Sequence, residues 1–162
     1  MGKILGIGVL LICSLGAGYA TAQGNSDRDA ILRVADAFFT ALADRDRAAL
    51  EAIMVPGSLN ISTSRDANGG ISFNTADYEQ LITSLSRPGA ARVERYWDAT
   101  VLIREDIAVF WAPYDFHVNG EFTHCGVDSF QLIKQEGRWL LSNLSWTRET
   151  VGCPESPLGP LR

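Results

Sequence analysis

The sequence predicts an α+β domain in which three helices precede a mostly antiparallel sheet. Apolar residues recur at helical spacing in the first half of the chain and alternate at strand spacing in the second. Turn residues separate the alternating runs, and Asn119-Gly120 between two of them is the strongest hairpin signal in the chain. Helices gathered at one end and strands at the other mark segregated α+β rather than alternating α/β architecture.

The first helix is expected to start at Ser26, which with Asp29 forms a capping-box pattern. Ile31, Val34, Ala35, Phe38, Phe39 and Leu42 make one apolar face, and Asp44-Arg45-Asp46 ends it. A short second helix spans Ala48–Met54 and stops at Val55-Pro56-Gly57. Two short strands follow, near Leu59–Ser62 and Ile71–Phe73, around the turn Asn68-Gly69-Gly70. Asn74 or Thr75 caps a third helix with Tyr78, Leu81, Ile82 and Leu85 on one face, closed by Arg87-Pro88-Gly89. Four longer strands are expected near Ala91–Ile103, Ile107–Val118, Glu121–Lys134 and Arg138–Thr150.

Met1–Ala22 reads as a secretory signal. Lys3 precedes an apolar run, Ile4–Ala17, and Ala20-Thr21-Ala22 supplies a small-residue cleavage site. The run is short for a membrane span, which needs about 20 apolar residues. The expected product is therefore periplasmic or secreted, with one domain at residues 23–153 and a loose tail at 154–162, where proline is frequent. A formal net charge of −5 argues against binding a phosphate backbone. No nucleic-acid partner, no membrane association after cleavage and no cofactor are expected. Cys125 and Cys153 survive signal removal. They are either a disulfide or two buried thiols, and an oxidising compartment favours the disulfide.

Turn geometry sets register, and register sets which side chains share a face. A two-residue loop at Asn119-Gly120 places Asp115 opposite His124, Trp111 opposite Asp128, and Val109 opposite Phe130. A similar loop at Glu136-Gly137 places Asp128 opposite Ser145 and His124 opposite Glu149. A loop at Glu105-Asp106 places Tyr96 opposite Asp115. One face is then apolar at one end and gathers Tyr96, Asp98, Trp111, Asp115, His117, His124, Asp128, Ser145, Thr147 and Glu149 at the other. That end is either the mouth of a ligand cavity or the wet rim of a sheet. The opposite face carries Phe110, Ala112, Tyr114, Leu144 and Trp146. Because three helices cover only one face, a homodimer through the sheet is expected.

The segment His124–Phe130, followed by Gly137-Arg138-Trp139-Leu140-Leu141, resembles secreted bacterial members of the nuclear transport factor 2-like superfamily that have no assigned activity. The order of elements is similar too, over Ser26–Cys153. Ketosteroid isomerase, scytalone dehydratase and SnoaL-like polyketide cyclases share that fold. The resemblance implies a curved sheet around a cone-shaped cavity, a cystatin-like roll, often dimeric through the sheet. It does not imply one function, since the fold hosts enzymes, binders and scaffolds.

Three functions follow from these residues. The first is a binding domain for a small apolar or aromatic molecule, with Trp111, Phe130, Asp98, Ser145 and Thr147 as ligand contacts beside Tyr96. The second is an acid–base enzyme of dehydratase or isomerase type. There His124 moves the proton, Asp115 or Asp128 orients it, and Tyr96 donates to a substrate oxygen. The third is a dimeric structural or interaction module. His117, His124 and Asp115 are a poor metal set, because two histidines on neighbouring strands are more often solvated, and no metal is expected.

Overall fold

The structure is a computed structural model describing residues 16–66 and 68–161; for residues 16–23 and 25 it describes the backbone alone. The elements run α1 (Gly16–Asp44), α2 (Arg47–Ile53), β1 (Leu59–Arg65), β2 (Ile71–Asp77), α3 (Tyr78–Ser86), β3 (Arg92–Tyr96), β4 (Thr100–Arg104), β5 (Ile107–Val118), β6 (Glu121–Gln135) and β7 (Arg138–Glu149). The seven strands form one sheet ordered β2-β1-β7-β6-β5-β3, with β4 also on β5. Every pairing is antiparallel except β1 with β7. This is the α+β class the sequence predicts.

The expected helix start at Ser26 is not a start, because α1 continues on its N-terminal side to Gly16. The signal segment falls mostly on residues 1–15, which lie outside the described residues. Asp46 caps α2 by accepting from the Ala49 amide. Asp77, rather than Asn74 or Thr75, caps α3, because β2 runs on to Asp77 and leaves no room for an earlier cap. Its carboxylate accepts from the Gln80 amide while the Gln80 side chain accepts from the Asp77 amide, a reciprocal capping box.

The core lies between α1–α3 and one face of the sheet. Phe38 and Phe39 from α1 pack their rings against Phe130 from β6, which stacks on Phe110 from β5. Trp139 is buried under α1, and its indole N–H donates to Asp27, which also pairs with Lys134. One helix is thereby fixed to two strands by a single carboxylate.

The two-residue hairpins are where the sequence places them. Asn119 and Gly120, and Glu136 and Gly137, all hold positive φ, as the favoured hairpin turn requires. What the turns do not determine is the register farther along. One β-bulge interrupts β5–β6 between Phe116 and His117, and another interrupts β6–β7 between Gln131 and Leu132. Near the turns the expected pairs hold, including Val118 with Glu121 and Gln135 with Arg138. Past each bulge every pairing moves by one residue. Asp115 faces Cys125, not His124, and Asp128 faces Trp146, not Ser145.

The expected strand Ala91–Ile103 is two strands. Trp97–Ala99 interrupts it, with Asp98 at a φ of 47°. β4 keeps the predicted register, Thr100 opposite Trp111, but β3 is displaced so that Tyr96 faces Tyr114 and Arg95 faces Asp115.

Beyond β7 the described chain is fastened to the sheet at Cys153, Ser156 and Gly159. Cys153 is disulfide-bonded to Cys125 on β6. The Gly159 carbonyl accepts from Arg95, and Ser156 bonds the Asp115 carboxylate. Proline removes backbone donors, but it does not prevent side chains of the sheet from holding carbonyls of the tail.

Candidate functional site

A cavity of about 220 Å³ opens between the sheet and the helices. Its apolar wall comes from Phe38 and Leu42 on α1, Leu81 and Leu85 on α3, Phe116 on β5, Phe130 on β6, and Leu144 and Trp146 on β7. Its polar groups are Glu94 on β3, Tyr114 on β5, His124 and Asp128 on β6, and Arg148 on β7. The strand periods explain this gathering. Glu94 pairs with Phe116, Phe116 with His124, and Asp128 with Trp146, so all project to the face that meets the helices.

Glu94 and Asp128 sit with their carboxyls in hydrogen-bond contact. Two ionised carboxylates cannot make that bond, because each only accepts. Burial first, and then the charge of Asp128, holds Glu94 well above the usual carboxylate range. Burial likewise pushes Asp128 up to about 8. The pair therefore retains at least one proton at neutral pH. Asp128 is only 3% exposed, and its Oδ2 has no hydrogen-bond partner among the described residues.

His124 lies flat against Phe116, at 4.7 Å between ring centroids, and edge-on to Tyr114. Burial, and then the Arg148 charge, lowers its pKa to about 4, so the ring is neutral near pH 7. The bulge residue Thr123 orients it. The Thr123 hydroxyl donates to the Phe116 carbonyl and lies 2.8 Å from His124 Nδ1. With the hydroxyl proton used on the carbonyl, Nδ1–H donates to the hydroxyl oxygen, and Nε2 keeps its lone pair.

Tyr114 is buried and its hydroxyl donates to the Thr147 carbonyl, 2.7 Å away across β6. It crosses β6 at Gly126. A Cβ there would lie 2.7 Å from the Tyr114 ring and 2.0 Å from the Thr147 oxygen, so only glycine fits. The nearby Val127 amide donates to the Thr147 side chain rather than to a backbone carbonyl.

Of the residues singled out from sequence, His124, Asp128 and Phe130 line the cavity. Tyr96 faces the helices but is held in the core beside it, donating to Asp36 and packed at a tilt against Phe39. The others are elsewhere. Asp115 is on the opposite face, in a two-bond ion pair with Arg95 and 3.3 Å from His117. It does not meet His124. Trp111 and Ser145 share that outer face, since they pair with Ser129. Trp111 is half exposed, and Asp98 is exposed at the strand break. Thr147 follows Ser145 at the strand period, and its hydroxyl is used by Val127 and Glu149. The physical cause is common to most of these: each bulge inverts the alternation beyond it. His117 and His124 consequently end on opposite sides of the sheet, which separates the weak metal set. Among the described residues, no cluster of three or more potential metal ligands occurs.

Sequence reasoning missed Glu94, Tyr114, Trp146 and Arg148. Glu94 had a signal, since it lies two residues before Tyr96 on the same strand face. Tyr114, Trp146 and Arg148 carry no such signal, because the two bulges decide which face they share with His124 and Asp128.

Solved structures share this architecture. A nuclear transport factor 2-like protein from Cytophaga hutchinsonii is 20% identical, at a TM-score of 0.63, over 75% of this chain and 97% of its own. A protein with a cystatin-like fold from Nostoc punctiforme is 17% identical, at a TM-score of 0.58, over 82% of this chain and 95% of its own. An NTF2-like protein from Streptomyces avermitilis, for which dehydratase activity has been proposed, is 11% identical at a TM-score of 0.59, over 77% and 97%. At these identities the likeness is one of fold: the chain has the nuclear transport factor 2-like, cystatin-like fold. No family model matches the chain, and no curated protein matches it.

Proposed function

We propose that this protein is a small-molecule-binding domain whose ligand enters the cavity between the helices and the sheet. The observation that carries the reading is the wall itself: six aromatic or imidazole rings and four leucines, with a few polar groups converging among them. A cavity of about 220 Å³ suits a compact, largely apolar or aromatic ligand. Calorimetric titration with small aromatic molecules tests it. Saturable binding is expected, and Leu85→Phe, which fills the cavity from α3, should abolish it. Equal binding by that variant, or none by the native protein, would overturn the reading.

One observation favours a second reading, acid–base catalysis of dehydratase or isomerase type. The cavity holds a proton on the Glu94–Asp128 pair and a free lone pair on His124 Nε2, an acid and a base in one space. Asp115, the orienting residue expected from sequence, has no part in it. Turnover of an enolisable or β-hydroxy carbonyl substrate should fall at least a hundredfold in both Asp128→Asn and His124→Gln. Unchanged turnover in either variant would remove that residue from the mechanism.

The Cys125–Cys153 disulfide is consistent with an oxidising compartment. With the signal-like N-terminus it supports a periplasmic or secreted location. The outer face of the sheet supports pairing with a second copy: Leu102, Ile107 and Trp111 stand 65%, 62% and 51% exposed on adjacent strands β4 and β5.

A further inference from the structure

We propose that the cavity selects an organic ammonium ion, a compact amine with an apolar or aromatic body, and uses the Glu94–Asp128 pair as its counter-ion. This rests on the binding reading above and names the ligand class.

The polar lining of the cavity is rich in acceptors. Glu94 and Asp128 supply carboxyl oxygens, and His124 supplies the Nε2 lone pair left by its bond to Thr123. Tyr114 spends its hydroxyl proton on Thr147 and offers no donor. A primary ammonium carries three N–H donors and no acceptor. It can meet several of these acceptors at once, whereas a hydroxyl brings one donor and a carbonyl none. Apart from its contact with Glu94, the buried Asp128 carboxyl takes no donor at Oδ2 among the described residues, so an incoming N–H can pair there.

The walls point the same way. Phe116, Phe130, Trp146 and Tyr114 line the same cavity as the acids, and aromatic faces attract cations through their quadrupoles. The helices contribute only Phe38, Leu42, Leu81 and Leu85 to the lining, so no cation enters from that side. Two arginines act on the site. Arg148 lies on β7 at the cavity lining, exposed to solvent. Arg92, two residues before Glu94, donates through Nε to the Leu42 carbonyl, and its charge offsets part of that of Glu94. Asp115, across the sheet, adds negative charge but is matched by Arg95.

Binding exchanges one cation for another. The ammonium nitrogen takes the place of the proton held between the carboxyls, and that proton leaves to solvent, so net charge is conserved.

Titrating the protein with 2-phenylethylamine and with 2-phenylethanol, its neutral isostere, tests the proposal. Calorimetry in buffers of different ionisation enthalpy reads the proton. The amine should bind at least about tenfold more tightly than the alcohol and release a proton. In Asp128→Asn and Glu94→Gln, which keep side-chain shape, the preference should fall to near unity, with folding verified by thermal melting. If the alcohol binds as well as the amine, the ammonium assignment is overturned and the binding reading stands. If the variants keep the preference, the amine binds elsewhere and the assignment is overturned. If neither probe binds, both readings fall.

Discussion

Asp128 and Gly126, two residues apart on β6, reach their roles by opposite routes. Asp128 is stabilised in its neutral form by burial, so its folded pKa of about 8 lies above the ordinary 3.8. Its contribution is fully present below the unfolded value and is lost as pH rises through the folded one. Asp128→Asn should therefore raise the melting temperature at pH 8 and change it little at pH 4. His124 has the reverse profile on the acid side. Its folded pKa is depressed to about 4 from 6.5, so stability falls as pH drops between those values. His124→Phe should flatten that limb in a pH series of thermal melts. Gly126→Ala should cost about 3 kcal/mol in denaturant unfolding, because the added methyl meets a backbone carbonyl that cannot move aside. Asn60 makes a related point. Asn60-Ile61-Ser62 fits the glycosylation acceptor pattern, yet its side chain is buried, bonding Ser58, Ala76 and the Leu144 amide. The short motif records spacing, and burial removes the function it suggests.

Each hairpin in the sheet was readable from its turn, and strand character was readable from alternation, but the break dividing β3 from β4 was not. The bulges were not, because a bulge is one additional residue in an otherwise ordinary run, with no composition of its own. Thr123 at the first bulge looks like any strand threonine. Only when β5 and β6 are paired does its hydroxyl prove to orient His124. The disulfide belongs to this scale as well. It clips the chain after β7 to the middle of β6 and holds the tail over Arg95, Asp115 and His117. Cys153→Ser should lower stability by about 3 kcal/mol in denaturant titration. It should also speed proteolysis of the tail, while cavity binding persists.

The whole molecule presents a filled face and an open one. The helices cover the face that carries Phe110, Phe130 and the cavity, and the other leaves Leu102, Ile107 and Trp111 in solvent. If a second copy covers them, Trp111→Glu should turn a dimer into a monomer in sedimentation velocity without changing the melting of the subunit fold. A native protein that sediments as a monomer at all concentrations would dismiss the dimer.

Length, period and turn chemistry in the sequence determined the class of fold, the order of its elements and the ends of its hairpins, because these depend on residues close together in the chain. His124, Asp128 and Phe130 were readable as sharing one face for the same reason: they lie on one uninterrupted stretch of β6. Which residues join them was decided only by tertiary structure. Two bulges and one strand break choose between the two faces for every residue beyond them. Those choices depend on how the sheet curves to meet the helices, a long-range packing condition that no local pattern records. Glu94 thus joins Asp128, and Asp115 goes to the far side with Arg95.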